Sequence, residues 1–322
     1  MKKTIAFIFS LFAAFTVATT SACKPTEGII TIAVPDGAPT LALYSLMDSV
    51  NFLEGYKVRY KVLSGAENIG KTLVSGAADC AVMPVNVAAK LYNAGNDIKL
   101  LSVNVFGVLY LVGKNDLESL SDLKDKTIAT IGKGATPDIS LKVILDGNGI
   151  GYVDEESEDG KVTLTYVADA PTAMKSLATG KVDYAILGEP QATVACKNLG
   201  AKIVLDVQSE WAKIFGDNTF SQAGFVMNKN VYENKALADA LFSRLDKNRE
   251  AIMNYPEKVR PTVQKFGSSL QVDFTKEVLE RCNLGCMSAE SISAPLDDYF
   301  TAILNYDPTF IGGKKPDDGF YY

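Results

Sequence analysis

Polar residues suited to binding a ligand stand directly after short apolar runs in this chain. Asp36 follows GIITIAVP, Asn86 follows ADCAVMPV, and Glu189 follows VDYAILG. Runs of this length and composition are typical of buried strands in a parallel sheet. Open α/β sheets bind ligands in the loops beyond the carboxyl ends of such strands. The sequence therefore predicts a binding site built from loops that carry carboxylate and amide groups.

The composition excludes several other kinds of site. The chain has no histidine, which rules out Ser-His-Asp and Cys-His catalysis and histidine metal sites. No HExxH motif, EF-hand loop or paired CxxC indicates a metal centre. The net charge of −6, with no basic run, argues against a nucleic-acid partner. We therefore expect no catalytic residue, no metal, no cofactor and no nucleic acid.

Two stretches of the chain are similar to each other, GAENIGKTLVSGAADCAVMPVNVAAKLYNAGN and DAPTAMKSLATGKVDYAILGEPQATVACKNLG. Aligning them places Gly76 on Gly180 and Asp79 on Asp183. Each reads as helix, glycine stop, short strand, loop and helix. A weaker echo relates IAVPDGAPTLAL to IATIGKGATPDISL. Chance produces some likeness between any two helix–strand units, but here the spacing holds through a whole unit. The sequence predicts two similar α/β lobes with the site between them.

Alternating strands and helices indicate parallel βαβ units. TLALYSLMDSV reads as one helix with Pro39 or Thr40 at its start, and Thr136 is a natural N-cap ahead of Pro137. From Asn234 onward the pattern is mainly helical.

Two β-rich segments, IKLLSVNVFGVLYLVGK and SQAGFVMNK, are suited to carry the chain between the lobes. We therefore predict a discontinuous lobe I, residues 28–105 and 222–322, with lobe II, residues 106–221, inserted in it.

The N-terminus has the layout of an export signal. Two lysines precede an apolar stretch that is short for a membrane span, and a small polar run ends at Cys23. We predict a signal peptide over residues 1–22 and a lipid-anchored tether over residues 23–27. Thr20 stands where a bacterial lipobox usually has leucine, and simple cleavage is the alternative.

The other four cysteines divide into two pairs. Cys80 and Cys196 fall in apolar or helical parts of the repeats and are expected to be buried thiols. Cys282 and Cys286 are close enough to form a disulfide if a helix ends between them, and export permits one. The alternatives are free thiols or a metal pair, for which further ligands are lacking.

The motifs IAVPDGAPTLAL, LVSGAADCAVMP, SLSDLKDKTIA, VDYAILGEPQA and IGGKKPDD, together with Cys23, resemble the solute-binding lipoproteins of ABC importers. The similarity is to the nitrate/sulfonate/taurine (NitT/TauT) type, related to binders of thiamine pyrimidine precursors, and covers essentially the whole mature chain. It implies an α/β periplasmic-binding-protein type II fold, with two lobes, a hinge and a cleft between the lobes.

The resemblance also implies a function. It implies capture of a small organic molecule, a sulfonate or a pyrimidine-like compound, and delivery to a membrane permease with a separate ATPase. We expect a lipid-anchored monomer on the extracytoplasmic face of the membrane.

The candidate ligand-binding residues are the loops that follow the predicted strands of each lobe. In lobe I they are Asp36, Gly37, Ala38, Pro39, Thr40, Ser64, Gly65, Ala66, Pro84, Val85 and Asn86. In lobe II they are Gly134, Ala135, Thr136, Ala168, Asp169, Gly188, Glu189 and Pro190. The alternative roles are turn geometry for the glycines and helix capping for Thr136 and Asn86.

The charges in these loops bear on the ligand. Lys133 is the only obvious cation, whereas Asp36, Asp169 and Glu189 favour a neutral or amine-bearing molecule. A sulfonate held by main-chain N–H groups is also compatible with the loops. Trp211, the sole tryptophan, has either a stacking role or a place in the core or hinge.

Two other functions are compatible with the same fold. One is an enzyme of the pyrimidine synthase or menaquinone-precursor dehydratase type, against which the export signal weighs because those enzymes are cytoplasmic. The other is a ligand sensor that feeds a receptor instead of a permease. Fold by itself does not decide between them.

Overall fold

The computed structural model describes residues 28–63, 66–216 and 220–322. The predicted signal peptide, Cys23 and the tether lie outside the described residues, as do Ser64 and Gly65. The polypeptide folds around two separate sheets, which together account for all the named strands.

The first sheet has seven strands in the order β13-β5-β12-β4-β1-β3-β2. Their bounds are β1 Gly28–Pro35, β2 Phe52–Leu53, β3 Tyr56–Leu63, β4 Cys80–Pro84, β5 Ile98–Val105, β12 Ala223–Asn228 and β13 Leu284–Ser288. Strands β3, β1 and β4 are parallel, and β12 is antiparallel to both β4 and β5.

The second sheet has six strands in the order β11-β6-β10-β7-β9-β8. Their bounds are β6 Leu109–Gly113, β7 Thr127–Ile131, β8 Tyr152–Asp154, β9 Val162–Val167, β10 Tyr184–Gly188 and β11 Lys202–Asp206. Strands β9, β7 and β10 are parallel, and β6 is antiparallel to both β10 and β11. The order β9-β7-β10-β6-β11 therefore matches β3-β1-β4-β12-β5 of the first sheet.

Helices connect and cover the strands. Their bounds are α1 Ala38–Leu41, α2 Tyr44–Ser49, α3 Ala66–Val74, α4 Val85–Asn93, α5 Thr136–Gly147, α6 Ala170–Ala178, α7 Gln191–Leu199, α8 Val207–Phe215, α9 Lys229–Tyr232, α10 Lys235–Asp246, α11 Asn248–Asn254, α12 Pro256–Lys265, α13 Lys276–Arg281 and α14 Ala289–Tyr306. Short 3₁₀ turns occupy Leu120–Leu123, Pro308–Ile311 and Asp318–Phe320.

The sequence repeat corresponds to a repeat in structure. The alignment that places Gly76 on Gly180 also superimposes the bounds of α3 on those of α6, and the bounds of β4 on those of β10. Gly76 and Gly180 have φ values of +72° and +70°, the left-handed conformation that ends a helix at little cost only for glycine.

Two local predictions were wrong. The segment predicted as one helix forms two, α1 and α2, because the backbone leaves the helical conformation at Leu43 (φ −103°, ψ 5°). Thr136 does not cap α5: it is the first helical residue, and the N-cap is Ala135 without a side-chain hydrogen bond.

The disulfide that the sequence permits between Cys282 and Cys286 is not formed. Cys282 and Cys286 are both free thiols. Cys282 follows the last residue of α13 and is fully buried in the core of the first sheet. Cys286 lies in β13, where its neighbours are the polar side chains of Ser102 and Asn104.

Of the three hydrophobic clusters among the described residues, one includes residues of both sheets. It contains Met83 of β4 and Ile186 of β10 together with Trp211 and Tyr299, all of which are buried. Within the described residues, none of the helices combines the length and apolarity needed to span a bilayer.

Candidate functional site

The two chain segments that connect the sheets are hydrogen-bonded to each other. Residues 106–108 link β5 to β6, and residues 220–222 lead into β12. The main-chain N–H of Gln222 donates to the carbonyl of Val105 at 3.0 Å, and its side-chain oxygen accepts from the N–H of Val108 at 2.9 Å. These bonds form a joint between the sheets, which we call the hinge.

Glycine is required at the centre of the hinge. Gly107 has φ +76°, and a Cβ atom there would lie 2.4 Å from Cγ of Gln208 and 2.7 Å from the ring of Phe220. The Gln208 side chain is itself held in place, since its oxygen accepts the N–H of Leu109 at 2.8 Å. The hinge is therefore closely packed as well as hydrogen-bonded.

Two of the predicted loops are attached to the hinge from opposite sheets. The N–H of Val85, after β4, donates to the carbonyl of Gln222 at 3.1 Å. The N–H of Glu189, after β10, donates to the carbonyl of Val108 at 2.9 Å. The structure thus brings the Pro84–Asn86 and Gly188–Pro190 loops to the same place, and they are the equivalent loops of the repeat.

Asn86 has a buried side-chain oxygen without a hydrogen-bond partner. It is the second residue of α4, whose N-cap is Pro84, so its alternative role as an N-cap is excluded. The residue is 4% exposed and its Oδ1 accepts no hydrogen bond. Such a group is rare in native proteins because desolvating it without a partner is costly.

Glu189, by contrast, is fully engaged by the protein. It is 3% exposed, and Oε1 lies 2.6 Å from Nε of Arg281 in α13 and accepts the Thr193 hydroxyl at 2.9 Å. Its other oxygen accepts the N–H of Thr193 at 3.1 Å. The Tyr110 hydroxyl of β6 donates to the Arg281 carbonyl at 2.9 Å. This cluster is a second bridge between the two sheets.

Asp36 is also paired within the protein. Its carboxylate accepts the Ser268 hydroxyl at 2.5 Å, and the N–H and hydroxyl of Ser269 at 2.7 and 2.6 Å. Thr40 turns its hydroxyl back to the carbonyl of Pro35 at 2.9 Å. Of the remaining residues in this loop, Gly37 and Ala38 are buried and Pro39 is half-buried.

The β7–α5 loop contacts the C-terminal part of the chain. Gly134 is buried with φ +75°, and a Cβ there would lie 1.7 Å from the ring of Phe310. Thr136 is buried, and its hydroxyl lies 3.2 Å from that of Tyr299 in α14. Ala135 lies between them as the N-cap of α5. A pocket of about 480 Å³, within the range of small-molecule sites, opens beside Gly134 and Phe310.

The remaining predicted residues make none of the contacts described above with the hinge or the C-terminal segment. Ala168 and Asp169 are exposed. The Asp169 carboxylate caps α6 by accepting the N–H of Thr172 at 2.9 Å, and hydrogen bonding to Thr172 holds the pKa of Asp169 below its usual value. Ala66 begins α3, immediately after the two predicted residues that are outside the described part of the chain.

Lys133 does not supply a free cation to the site. Its ammonium lies 2.6 Å from Asp154, and it also lies over the ring of Tyr166, 5.3 Å from the centroid. Burial works to raise the pKa of Asp154, but hydrogen bonds from Lys133 and Tyr166 and the charges of Lys133 and Lys142 outweigh it and lower that pKa. Among the described residues, no cluster of Cys, Asp and Glu side chains could hold a metal ion.

Sequence reasoning missed the partners that complete these loops. They are Arg281 for Glu189, Phe310 for Gly134, Tyr299 for Thr136, and the pair Ser268 and Ser269 for Asp36. All belong to the segment after residue 222, which returns to the first sheet. The only available signal was that this segment was predicted to belong to lobe I.

Comparison with known proteins identifies the family of the chain. Residues 53–259, more than half of the chain, match the NMT1/THI5-like family. The chain belongs to the NMT1/THI5-like family. This confirms the resemblance to NitT/TauT-type binding proteins that the motifs indicated. Among the curated proteins, none matches the chain significantly.

Solved structures similar to this NMT1/THI5-like protein confirm the type II periplasmic-binding fold. An ABC transporter protein from Parabacteroides distasonis is 25% identical with a TM-score of 0.79, and the match covers 92% of this chain and 99% of that one. The periplasmic aliphatic sulphonate binding protein SsuA of Escherichia coli is 13% identical with a TM-score of 0.69, covering 92% of each chain.

A third similar structure was solved with a ligand. The alkanesulfonate-binding protein SsuA from Xanthomonas axonopodis pv. citri, bound to MOPS, is 15% identical with a TM-score of 0.59. That match covers 86% of this chain and 94% of the other. At this level of identity the likeness extends to the fold of the NMT1/THI5-like chain and not to its ligand.

Proposed function

We propose that the protein is the extracytoplasmic solute-binding component of an ABC importer. It captures a small organic molecule in the cleft between two lobes and delivers it to a membrane permease whose ATPase is a separate chain. The observation that carries the proposal is the hinge at Val108 and Gln222, to which the equivalent loops 84–86 and 188–190 are both attached. The similarity to ABC transporter binding proteins supports it.

We assign residues 28–105 and 222–322 to lobe I and residues 106–221 to lobe II. All strands of the first sheet fall in the first set of residues, and all strands of the second sheet fall in the other, which supports the assignment. A ligand that contacts both lobes stabilises their closed arrangement, because its contacts are complete only there.

A binding role is favoured over catalysis by the state of the potential nucleophiles. The chain has no histidine. Burial raises the pKa of the thiols of Cys80, Cys196, Cys282 and Cys286, that of Cys286 to about 11. At neutral pH these thiols are therefore protonated, and the protonated form is not the nucleophile.

We propose further that the protein is exported and held to the extracytoplasmic face of the membrane by lipid on Cys23. The support is the order of charged, apolar and small residues before Cys23, and stable anchoring takes more than one acyl chain. Mass spectrometry of the protein extracted from membranes is expected to find a lipid-modified N-terminal Cys23. An unmodified Cys23, or a different N-terminus, would contradict the anchor.

The binding function is tested by thermal unfolding of the soluble protein beginning at Lys24. The panel contains taurine, alkanesulfonates, nitrate, thiamine and its pyrimidine precursors, riboflavin and amino acids. A ligand at ~1,000 times its dissociation constant adds roughly 4 kcal/mol, so the midpoint should rise by several degrees.

A second readout comes from fluorescence. Trp211, the only tryptophan, lies 4.8 Å from Phe220 beside the hinge, so closure should change its emission. If no compound alters either signal and native mass spectrometry finds no co-purified molecule, the binding function is wrong.

A further inference from the structure

The helix N-termini of lobe II each hold a carboxylate of the protein itself. At α5 the N–H of Gly134 donates to Asp138 at 2.6 Å. At α6 the N–H of Thr172 donates to Asp169, and at α7 the N–H of Thr193 donates to Glu189. Helix N-termini are the ordinary binding places for anions, because their N–H groups and dipole attract negative charge. In this lobe those places are already filled.

The cations near these helices are also paired. Arg281 is 2.6 Å from Glu189, and Lys142 is 3.1 Å from Asp138, which is 1% exposed. Lys133 is bound to Asp154. Each of these three cations is therefore already paired with a carboxylate of the protein. An anionic ligand entering here would meet these carboxylates and would have no free cation among the three.

The loop after β1 supplies no unpaired charge either, because its charged residue, Asp36, is held by the protein. The carboxylate of Asp36 takes three hydrogen bonds from Ser268 and Ser269. An amine-bearing ligand would therefore have to compete with donors that are already in place. Because an unpaired buried charge is expensive, the charge balance of these loops favours a ligand with no net charge.

One group in these loops does lack a partner. Asn86 is 4% exposed, its Oδ1 accepts nothing, and its loop meets the hinge opposite that of Glu189. A carboxamide oxygen accepts hydrogen bonds. A donor on the ligand would remove the cost of burying this oxygen unpaired.

We infer that the cleft binds an uncharged organic molecule that carries an N–H or O–H group, and that Asn86 Oδ1 accepts this hydrogen. The inference rests on the proposed binding function and narrows it. Sulfonates and other anions bind poorly or not at all, in contrast to the sulfonate-binding proteins of the same fold. A carboxamide, a sulfonamide or an amino-heterocycle has the required chemistry.

The test uses pairs of compounds that share a shape and differ in charge. Nicotinamide is compared with nicotinate, benzenesulfonamide with benzenesulfonate, and methanesulfonamide with methanesulfonate, within a larger set of such pairs. Binding to the protein beginning at Lys24 is measured by thermal shift and titration calorimetry. We expect the binders to come from the neutral members. Tighter binding of the anionic members would overturn the inference and leave the binding function intact.

Variants of two buried asparagines distinguish a ligand contact from a structural role. Asn86→Leu is expected to weaken the binding of the best neutral compound roughly tenfold to a hundredfold. It should also raise the unfolding midpoint of the free protein, because an unpaired polar group is removed. Asn248 is 2% exposed but satisfied, since it accepts the N–H of Ser45 at 2.8 Å and donates to the carbonyl of Leu41 at 3.0 Å.

Asn248→Leu should therefore lower the midpoint of the free protein and leave the preference for neutral compounds unchanged. An Asn86→Leu protein that binds normally, or whose free form is destabilised like Asn248→Leu, would show that Asn86 is structural and overturn the inference. If no compound of either charge binds and no molecule co-purifies, the proposed binding function itself fails, and the inference fails with it.

Discussion

Asp79 and Asp183 are the clearest residues that the two halves of the chain share. Each carboxylate accepts a main-chain N–H from the first parallel strand of its sheet, Thr31 at 2.9 Å and Thr127 at 2.8 Å. Each main-chain N–H donates back to the carbonyl of the same threonine, at 2.8 and 2.9 Å. The repeated aspartate therefore fixes the start of β4 beside β1, and of β10 beside β7. Its role in both halves is structural.

The pairing of Arg281 with Glu189 gives a prediction at the same scale. The Glu189 side chain is 0% exposed and the Arg281 side chain is 24% exposed. Arg281→Ala should lower the free energy of unfolding by about 3 kcal/mol, because it leaves a buried carboxylate without its cation. Urea denaturation of the ligand-free protein measures the change.

Arg260 provides the matched control for that variant. It also lies 2.6 Å from a carboxylate, that of Asp273, but the two side chains are 42% and 71% exposed. Arg260→Ala should lower the free energy of unfolding by no more than about 1 kcal/mol, because exposed ion pairs contribute little to stability. Equal losses for the two variants would contradict the importance of burial at Glu189.

At the scale of elements, the C-terminal segment completes the walls of the site. The 3₁₀ turn Pro308–Ile311 lies against α4, where Asn93 donates to the carbonyls of Ile311 at 2.5 Å and Lys314 at 2.7 Å. The same turn carries Phe310, which covers Gly134 in the β7–α5 loop. One short element therefore contacts both α4, which follows β4 of the first sheet, and the loop after β7 of the second sheet.

Gly134→Ala tests this contact. The φ of +75° costs a residue with a Cβ about 1 kcal/mol, and the overlap with Phe310 adds roughly 1–3 kcal/mol. Gly180 has φ +70° and nothing within 4 Å of an added Cβ. Gly180→Ala should therefore lower the free energy of unfolding only by the cost of the backbone conformation. Chemical denaturation of both variants measures the difference.

A protein that lacks the Phe310 ring shows whether that ring causes the extra loss of stability in Gly134→Ala. In a protein that already carries Phe310→Ala, the added cost of Gly134→Ala should fall to that of Gly180→Ala, because the ring has gone. An unchanged cost would mean that the Phe310 ring is not what excludes a side chain at position 134.

At the scale of the whole molecule, a row of aromatic rings extends from α8, beside the second sheet, to α14 and α4. The ring centroid of Trp211 in α8 lies 4.8 Å from that of Phe220 at the hinge. The Phe220 centroid lies 5.8 Å from that of Tyr299 in α14. The row continues through Phe300 and Phe320 to Tyr92 of α4. Large apolar groups therefore pack behind the hinge, and Trp211 belongs to the core and not to a stacking surface.

The buried tyrosines predict loss of stability in alkali. Burial raises the pKa of Tyr299 from 10.0 to about 12 and that of Tyr44 likewise to about 12. An unfolded chain ionises tyrosine near pH 10 and the folded chain does not, so the stabilising effect is complete below pH 10 and is lost as the pH rises to 12. At pH 12 Tyr299 alone accounts for roughly 2 kcal/mol of the loss.

Urea midpoints measured from pH 8 to pH 11 check the alkaline prediction. Tyr299→Phe should have the smaller fall in stability over this interval, because it removes one group that ionises only on unfolding. The stability of Tyr255→Phe, which alters a half-exposed ring, should fall over this interval as much as that of the natural protein. A Tyr299→Phe profile parallel to the natural one would contradict the prediction.

The order of elements, the repeat and the family were predictable from the sequence because their signals are local. Helix stops such as Gly180 and apolar runs such as that of β10 depend on neighbours within a few residues. The same local reasoning failed at Thr136, where its hydroxyl pairs with Tyr299 instead of capping α5.

The pairing of the charges of Asp36 and Glu189, in contrast, was decided by the tertiary structure. Asp36, Asp169 and Glu189 looked available for a ligand in the sequence, yet each has hydrogen-bond donors within the protein. The donors to Asp36, and Arg281 as the cationic partner of Glu189, come from the segment after residue 222 that returns to the first sheet. The Asp169 cap of α6 is a local contact, whereas the pairing of Asp36 with Ser268 and Ser269 and of Glu189 with Arg281 joins residues far apart in the chain, which no local pattern encodes.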